Sequence, residues 1–248
     1  MAPSRYDGLD EAALAARLGL PRVLILSCTT STMDEAHAHA ASGAPAGTLV
    51  LAHEQTQGRG RNGARWIGVA GASVLCTLIE RPPVTAALDV LSLRVGLGMA
   101  AALDQFSPHP VRVKWPNDLL IDGGKFAGIL IETRWREGRT DWVAIAAGIY
   151  VGDPPAGVPG AGGLRTAHRR LDVLCAVIPA LRAAARRDGP LTAAELAEWE
   201  ARDHLRGRRV RAPAAGVVRG ILPTGEVQIE TRDGMLALRS GSIALEEE

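Results

Sequence analysis

Three cysteines in 248 residues, Cys28, Cys76 and Cys175, are too few and too far apart for a disulfide framework. Their odd number and mostly apolar flanks predict reduced, buried thiols. A surplus of charge is also missing. The 28 Lys and Arg nearly balance the 27 Asp and Glu, and a formal charge of +1 gives no general field for nucleic acid or a membrane surface. No apolar run approaches the ~20 residues that cross a bilayer. The opening MAPSRYDGLDEAALAARLGL has no signal-like apolar core. These absences predict a cytoplasmic protein without membrane or nucleic-acid partners. Several catalytic signatures are absent too: no Cys/His spacing suits zinc, no G-x-S-x-G marks a hydrolase elbow, and no P-loop is present. His37 and His39 lie two apart on a predicted helix, face different ways, and make poor metal partners.

What is present is a chain 47% hydrophobic, with enough apolar residues for a sizeable core. Apolar spacing predicts a helix over 9–18, a strand in PRVLILSC, and a helix after TTS. Strands follow in AGTLVLAHE and ASVLCTLIE, then a helix of about six turns over 84–106. PVRVKW reads as a strand ending at Pro116, before a type I turn through Pro116, Asn117 and Asp118. GKFAGILIETRW and DWVAIAAGIYV read as a hairpin around REGRT. GDPPAGVPGAGG reads as a surface loop or linker, and helices follow near 171–187 and 192–204. From about 205, short alternating strands with turn signals at Pro223-Thr224-Gly225 and Asp233-Gly234 predict a small β-barrel. The fold class is α+β, with residues 1–204 as one domain and 205–248 as a second.

The stretch HEQTQGRGRNGARW, residues 53–66, contains G-x-G-x-x-G at Gly58, Gly60 and Gly63. A dinucleotide-binding loop must lead at once into a helix. Here Gly63, Gly68 and Gly71 follow, each unfavourable by about 1 kcal/mol in a helix interior, so that reading fails. The remaining reading is an anion-binding loop with Arg59, Arg61 and Arg65 as forked donors. Standing alone, the segment is equally compatible with a solvated hairpin loop.

It is followed by K-W-P-N-D (Lys114 to Asp118) and G-K-x-x-G-I-L-x-E (Gly124 to Glu132). With the loop G-R-G-R-x-G-x-x-W (Gly58 to Trp66), these motifs resemble the biotin protein ligases, or biotin–[acetyl-CoA-carboxylase] ligases, over about residues 22–248. The resemblance implies a mixed-sheet catalytic domain of the biotin/lipoate ligase type with a C-terminal SH3-like β-barrel. It implies the monofunctional form, since the N-terminal extension is too short for a winged helix. The implied reaction consumes ATP with Mg2+ and forms biotinyl-5′-AMP. It then transfers biotin to a lysine of a biotin carboxyl carrier protein domain and releases AMP. A homodimer is compatible with this reading.

Carried onto this sequence, the resemblance makes Lys125 and Arg61 catalytic. It places Ser31, Thr32, Gln55, Gly58, Arg59, Arg61, Lys125 and Gly128 on biotin. Arg59, Arg61, Trp66, Lys114, Asn117 and Asp118 fall on ATP, with Asp118 also a magnesium ligand. Ser31 and Thr32 are equally good helix-capping residues, and Trp66 and Trp115 equally good core residues. The chain departs from the family's pattern at Met33, Asn62 and Ala64, and at Tyr150 and Gly152, where the family has glycine and asparagine. Alternation along a strand turns Tyr150 to the same side as Gly148, so its ring is expected to stack on the ligand or crowd it. A lipoate-type ligase or transferase of the same fold, and a degenerate ligase that holds biotin without transfer, remain alternatives.

Overall fold

The computed structural model describes residues 5–81, 88–165 and 167–246. Seven strands form the main sheet: β1 (Arg22–Leu26), β2 (Thr48–Ala52), β3 (Ser73–Glu80), β4 (Arg112–Lys114), β5 (Asp118–Ile121), β6 (Gly124–Arg136) and β7 (Arg139–Tyr150). Their order is β1-β2-β3-β7-β6-β5-β4; β1 and β2 run parallel and every other pair is antiparallel. The sheet is therefore mixed, as expected.

Two hydrophobic clusters cover its faces. On one face α1 (Glu11–Leu18), α3 (Leu91–Leu103) and α4 (Arg170–Ala185) bury the large core. On the other, α2 (Thr32–Ala41) lays Ala36 and Ala40 against Val50, Ile79 and Trp142. β3 is buried along its whole length because both faces are covered. Helix ends follow their local chemistry. The Asp10 side chain accepts from Ala13 N, and Gly19 at φ 62 closes α1 in the left-handed region that glycine tolerates. A capping box of Thr192 and Glu195 starts α5 (Ala193–Arg202).

Several expectations need correction. The six-turn helix over 84–106 is a 3-10 turn at Leu88–Val90, then α3, then a second 3-10 turn at Asp104–Phe106; residues 84–87 lie outside the described ones. β5, four residues long, was not predicted, since it falls between the K-W-P-N-D turn and Gly124. The Trp115–Pro116 peptide in that turn is cis, so the turn is not the expected type I. Of the three free cysteines only Cys76 is buried, while Cys28 is exposed.

The C-terminal strands β8 (Arg209–Ala212), β9 (Gly216–Ile221), β10 (Val227–Thr231), β11 (Gly234–Leu238) and β12 (Ala244–Leu245) form an antiparallel sheet in the order β11-β10-β9-β8-β12. Its end strands do not pair with each other, so this SH3-like unit is an open sheet rather than a closed barrel. It packs on the larger body. Trp115 Nε1 donates to Gly225 O (2.9 Å) and Leu191 N to Pro223 O (2.8 Å). Among the described residues no helix is long and apolar enough to cross a membrane.

Candidate active site

Alternation along β6 and β7 makes the floor of a site. Val143, Ile145, Ala147 and Ile149 point into the large core, while Ala146 and Gly148 face the α2 side. Gly128 lies opposite Gly148 in the β6–β7 register. Small residues on that side leave a cavity of about 450 Å³, walled by the start of α2, the glycine loop, Asp118, Lys125 and the 241–242 loop.

At one end the polar groups interlock. Ser31 caps α2, its Oγ accepting from Met33 N at 3.2 Å. Gln55 Oε1 accepts from both Thr32 N (2.7 Å) and Thr32 Oγ1 (3.1 Å), and Thr77 Oγ1 donates to Thr32 Oγ1 (2.9 Å). That turns the Gln55 amide nitrogen towards Gly58. Ser31 and Thr32 thus start the helix and line the cavity at once. Thr77 is a site neighbour that the sequence reading missed, since nothing local distinguishes it from the rest of β3.

The glycine segment is a hairpin: Trp66 N donates to Gly58 O (2.9 Å), Gly60 N to Ala64 O (2.7 Å), and Arg59 bridges Arg65. A Cβ on Gly58 would stand 2.4 Å from Trp66 O, so glycine is required there by close approach. Arg59 Nη2 lies 2.8 Å from Asp34 Oδ1, and Arg65 Nη2 donates to Thr56 O (2.8 Å). Arg61 lines the cavity and makes no ion pair among the described residues.

Trp66 packs directly on the floor. A Cβ on Gly148 would meet its ring at 2.3 Å, and one on Gly128 at 2.9 Å. Its buried Nε1 has no hydrogen-bond partner among the described residues, an orphaned donor at the base of the cavity. Tyr150 neither stacks on the ligand space nor crowds it. Its ring does face the Gly148 side, but it is 3% exposed and stacks on Trp66 (centroids 4.8 Å, planes 14° apart). Its hydroxyl donates to Ile67 O at 2.8 Å. Tyr150 is therefore a backing for Trp66 and not part of the cavity wall. Burial pushes its phenol above the usual range.

Lys125 Nζ stands 2.6 Å from Asp118 Oδ1 and 5.7 Å from the Trp66 ring centroid. β5 and β6 pair Asp118 with Gly128, which brings the second and third motifs together. Asn117 is committed to structure: its Nδ2 donates to Ile129 O (2.7 Å), although it also borders the cavity. Two tryptophan and lysine expectations separate. Trp115 is buried in the core and holds the C-terminal sheet, and Lys114 does not line the cavity. Gly241 and Ser242 do line it, although they lie far along the chain in a segment read only as strands.

Among the described residues no three His, Cys, Asp or Glu side chains cluster to hold a metal. Among the described residues the one carboxylate lining this cavity is that of Asp118. Magnesium that arrives on a nucleotide's phosphates needs only one or two carboxylates, so the donor set fits a metal carried by the substrate. Burial pushes the Cys76 thiol up to about 12, away from the thiolate that a nucleophile needs.

Residues 25–149 match the model of the biotin/lipoate A/B protein ligase family. The chain is 37% identical over 131 residues to the bifunctional ligase/repressor BirA of Bacillus subtilis, covering 52% of this chain and 40% of that protein. It is 36% identical over 159 residues to the biotin–[acetyl-CoA-carboxylase] ligase of Mycobacterium tuberculosis, covering 59% and 58%. Neither match spans two thirds of the relative's length. Biotin protein ligase from Aquifex aeolicus in complex with biotin and ATP shares the fold, with a TM-score of 0.76 at 24% identity over 91% of this chain and 99% of that one. The family match covers the strands, glycine loop and lysine motif that build the cavity, and the chain belongs to the biotin/lipoate A/B protein ligase family.

Proposed function

We propose that this protein is an ATP-dependent biotin–protein ligase of the cytoplasm, acting alone or as a homodimer. It joins the biotin carboxylate to the α-phosphate of ATP, releases pyrophosphate, and transfers biotin from biotinyl-5′-AMP to a lysine of a biotin carboxyl carrier domain, releasing AMP. The observation that carries the reading is the shape of the cavity: an interlocked polar end and a cationic end on a floor of small residues. A ureido ring offers two N–H donors and a carbonyl acceptor, which suits Ser31, Thr32 and Gln55. The dithiolane of lipoate offers no such donors, and that polar end favours biotin. Residues 205–248 form the second unit, lending Gly241 and Ser242 to the site.

The first step brings two anions together, so catalysis here is positioning and charge neutralisation. Lys125, steadied by Asp118 beside Trp66, is the cation nearest the floor. Arg61 adds a second, free to turn to the phosphate. Trp66 supplies a flat face for the adenine and an N–H that a ligand acceptor satisfies. Asp118 would hold the nucleotide's magnesium, which would neutralise phosphate charge. Lys114, opposite Asp118 in the β4–β5 register but outside the cavity lining, acts through its charge.

ATP-dependent labelling of a biotin carboxyl carrier domain, with AMP release measured alongside, tests the proposal. Labelling with biotin and not lipoate is expected; lipoate preference, or adenylate formation without transfer, would replace it with one of the alternatives. Lys125→Ala is expected to lower biotin-dependent pyrophosphate release by about 10²–10³ with an unchanged melting temperature. Near-normal release in the folded variant would remove Lys125 from the chemistry.

A further inference from the structure

Glu132 closes the motif that carries Lys125, yet it lies on the outer side of the glycine loop. Its Oε2 is 3.0 Å from His37 Nε2, and its Oε1 is 3.5 Å from Arg59 Nη2. The other ring nitrogen of His37, Nδ1, is 2.9 Å from Trp142 Nε1. An indole N–H can only donate, so Nδ1 must keep its lone pair. The proton of the neutral ring then sits on Nε2 and is donated to Glu132. Trp142 is buried and pinned: the Arg81 guanidinium lies 5.7 Å over its ring, donates to Ala40 O and Ala44 O, and pairs with Asp141.

This chain of contacts runs from the packed face of the sheet to the loop. Asp34 and His37 lie three apart on α2, so one helix face supports Arg59 directly and through Glu132. A lone half-exposed ion pair would hardly hold a glycine-rich loop. Two carboxylates on rigid elements, one of them itself hydrogen-bonded, converge on the guanidinium's Nη2. Arg61, two residues on, is left free.

We infer that His37 is a positioning residue: through Glu132 it fixes Arg59 as the tether of the glycine loop, which leaves Arg61 as the loop's cation for an anionic ligand. Only the identity of that ligand rests on the ligase reading; the tether does not.

The test uses the full chain with His37→Leu, His37→Gln and Glu132→Gln. Without ligand, trypsin cleavage after Arg61 and Arg65 is followed by mass spectrometry, with melting temperatures as the control. Cleavage tracks the population of the released loop, and about a tenfold rise is expected for His37→Leu and Glu132→Gln. His37→Gln keeps a neutral donor and an acceptor, and is expected to restore the native rate. In pyrophosphate-release assays His37→Leu should raise KM for biotin and ATP at unchanged kcat, the mark of lost binding common to ground and transition states. Native cleavage and KM in His37→Leu would overturn the tether. So would equal defects in His37→Leu and His37→Gln, since ring packing would then be the cause. Should His37→Leu fail to fold, Glu132→Gln at its half-exposed strand position decides alone. Absence of pyrophosphate release in every protein would sink the ligase reading and leave the tryptic comparison standing.

Discussion

Tyr150 illustrates how one side chain is decided by its neighbours. Alternation places it on the Gly148 side, which is where it stands, but Trp66 lies between it and the open cavity. Aromatic stacking adds about 0.5–1.5 kcal/mol beyond burial, and the hydroxyl bond to Ile67 O about 1 kcal/mol. Both hold Trp66 against the two glycines. Tyr150→Gly is therefore expected to bind ATP more weakly, by about fivefold or more, with biotin affinity nearly unchanged. Calorimetric titration of each ligand checks this, and tighter ATP binding in the variant would mean that the native ring obstructs the site. The same dependence on neighbours explains which residues were legible. Lys125, Gly58 and Gly128 belong to motifs whose spacing already implies close approach or charge. Thr77 and Ser242 carry no local signal and matter only by where they arrive.

At the scale of the element, the β6–β7 hairpin was readable because both strands alternate and the turn residues are polar. α3 was over-extended because apolar spacing continues through residues that form 3-10 turns. Its attachment to α5 depends on Arg94, whose side chain is 2% exposed and whose Nε pairs with Glu195 Oε1 at 2.9 Å. Burial alone would raise the Glu195 carboxyl. The Arg94 hydrogen bond and those from Thr192 outweigh it and hold the group below the usual range. A depressed folded value means that the pairing stabilises fully above the ordinary glutamate range and is lost as pH falls through the folded value. Arg94→Met leaves the carboxylate buried without its main partner, a change expected to cost about 3 kcal/mol. Denaturant unfolding checks the loss at pH 7, and the gap to the native protein should narrow towards pH 4. A gap that is small at pH 7, or constant with pH, would count against the pairing.

For the whole molecule, the C-terminal sheet is part of the site as well as part of the fold. Its 222–226 turn covers Trp115, and a Cβ on Gly225 would stand 3.1 Å from Val90, so the two units fit closely. Its basic residues are largely engaged within the unit and its approach: Arg208 with His204, Arg211 with Leu245 O, and Arg219 with Glu230. Truncation after residue 204 is expected to lower the melting temperature and to abolish adenylation together with transfer. Calorimetry and pyrophosphate release check this. A truncated chain that melts and adenylates normally but fails to transfer would make the sheet an acceptor-docking unit alone.

The sequence by itself determined the order of most strands and helices, the α+β class, the position of the glycine hairpin and the cationic motif. These depend on local propensity, periodicity and residue spacing. Tertiary structure alone decided that Trp115 is a core residue while Trp66 lies on the cavity floor, that Lys114 stays outside the cavity lining, and that Glu132 and His37 brace Arg59. Such assignments depend on which faces meet across the sheet, and segments a hundred residues apart meet only when the chain has folded.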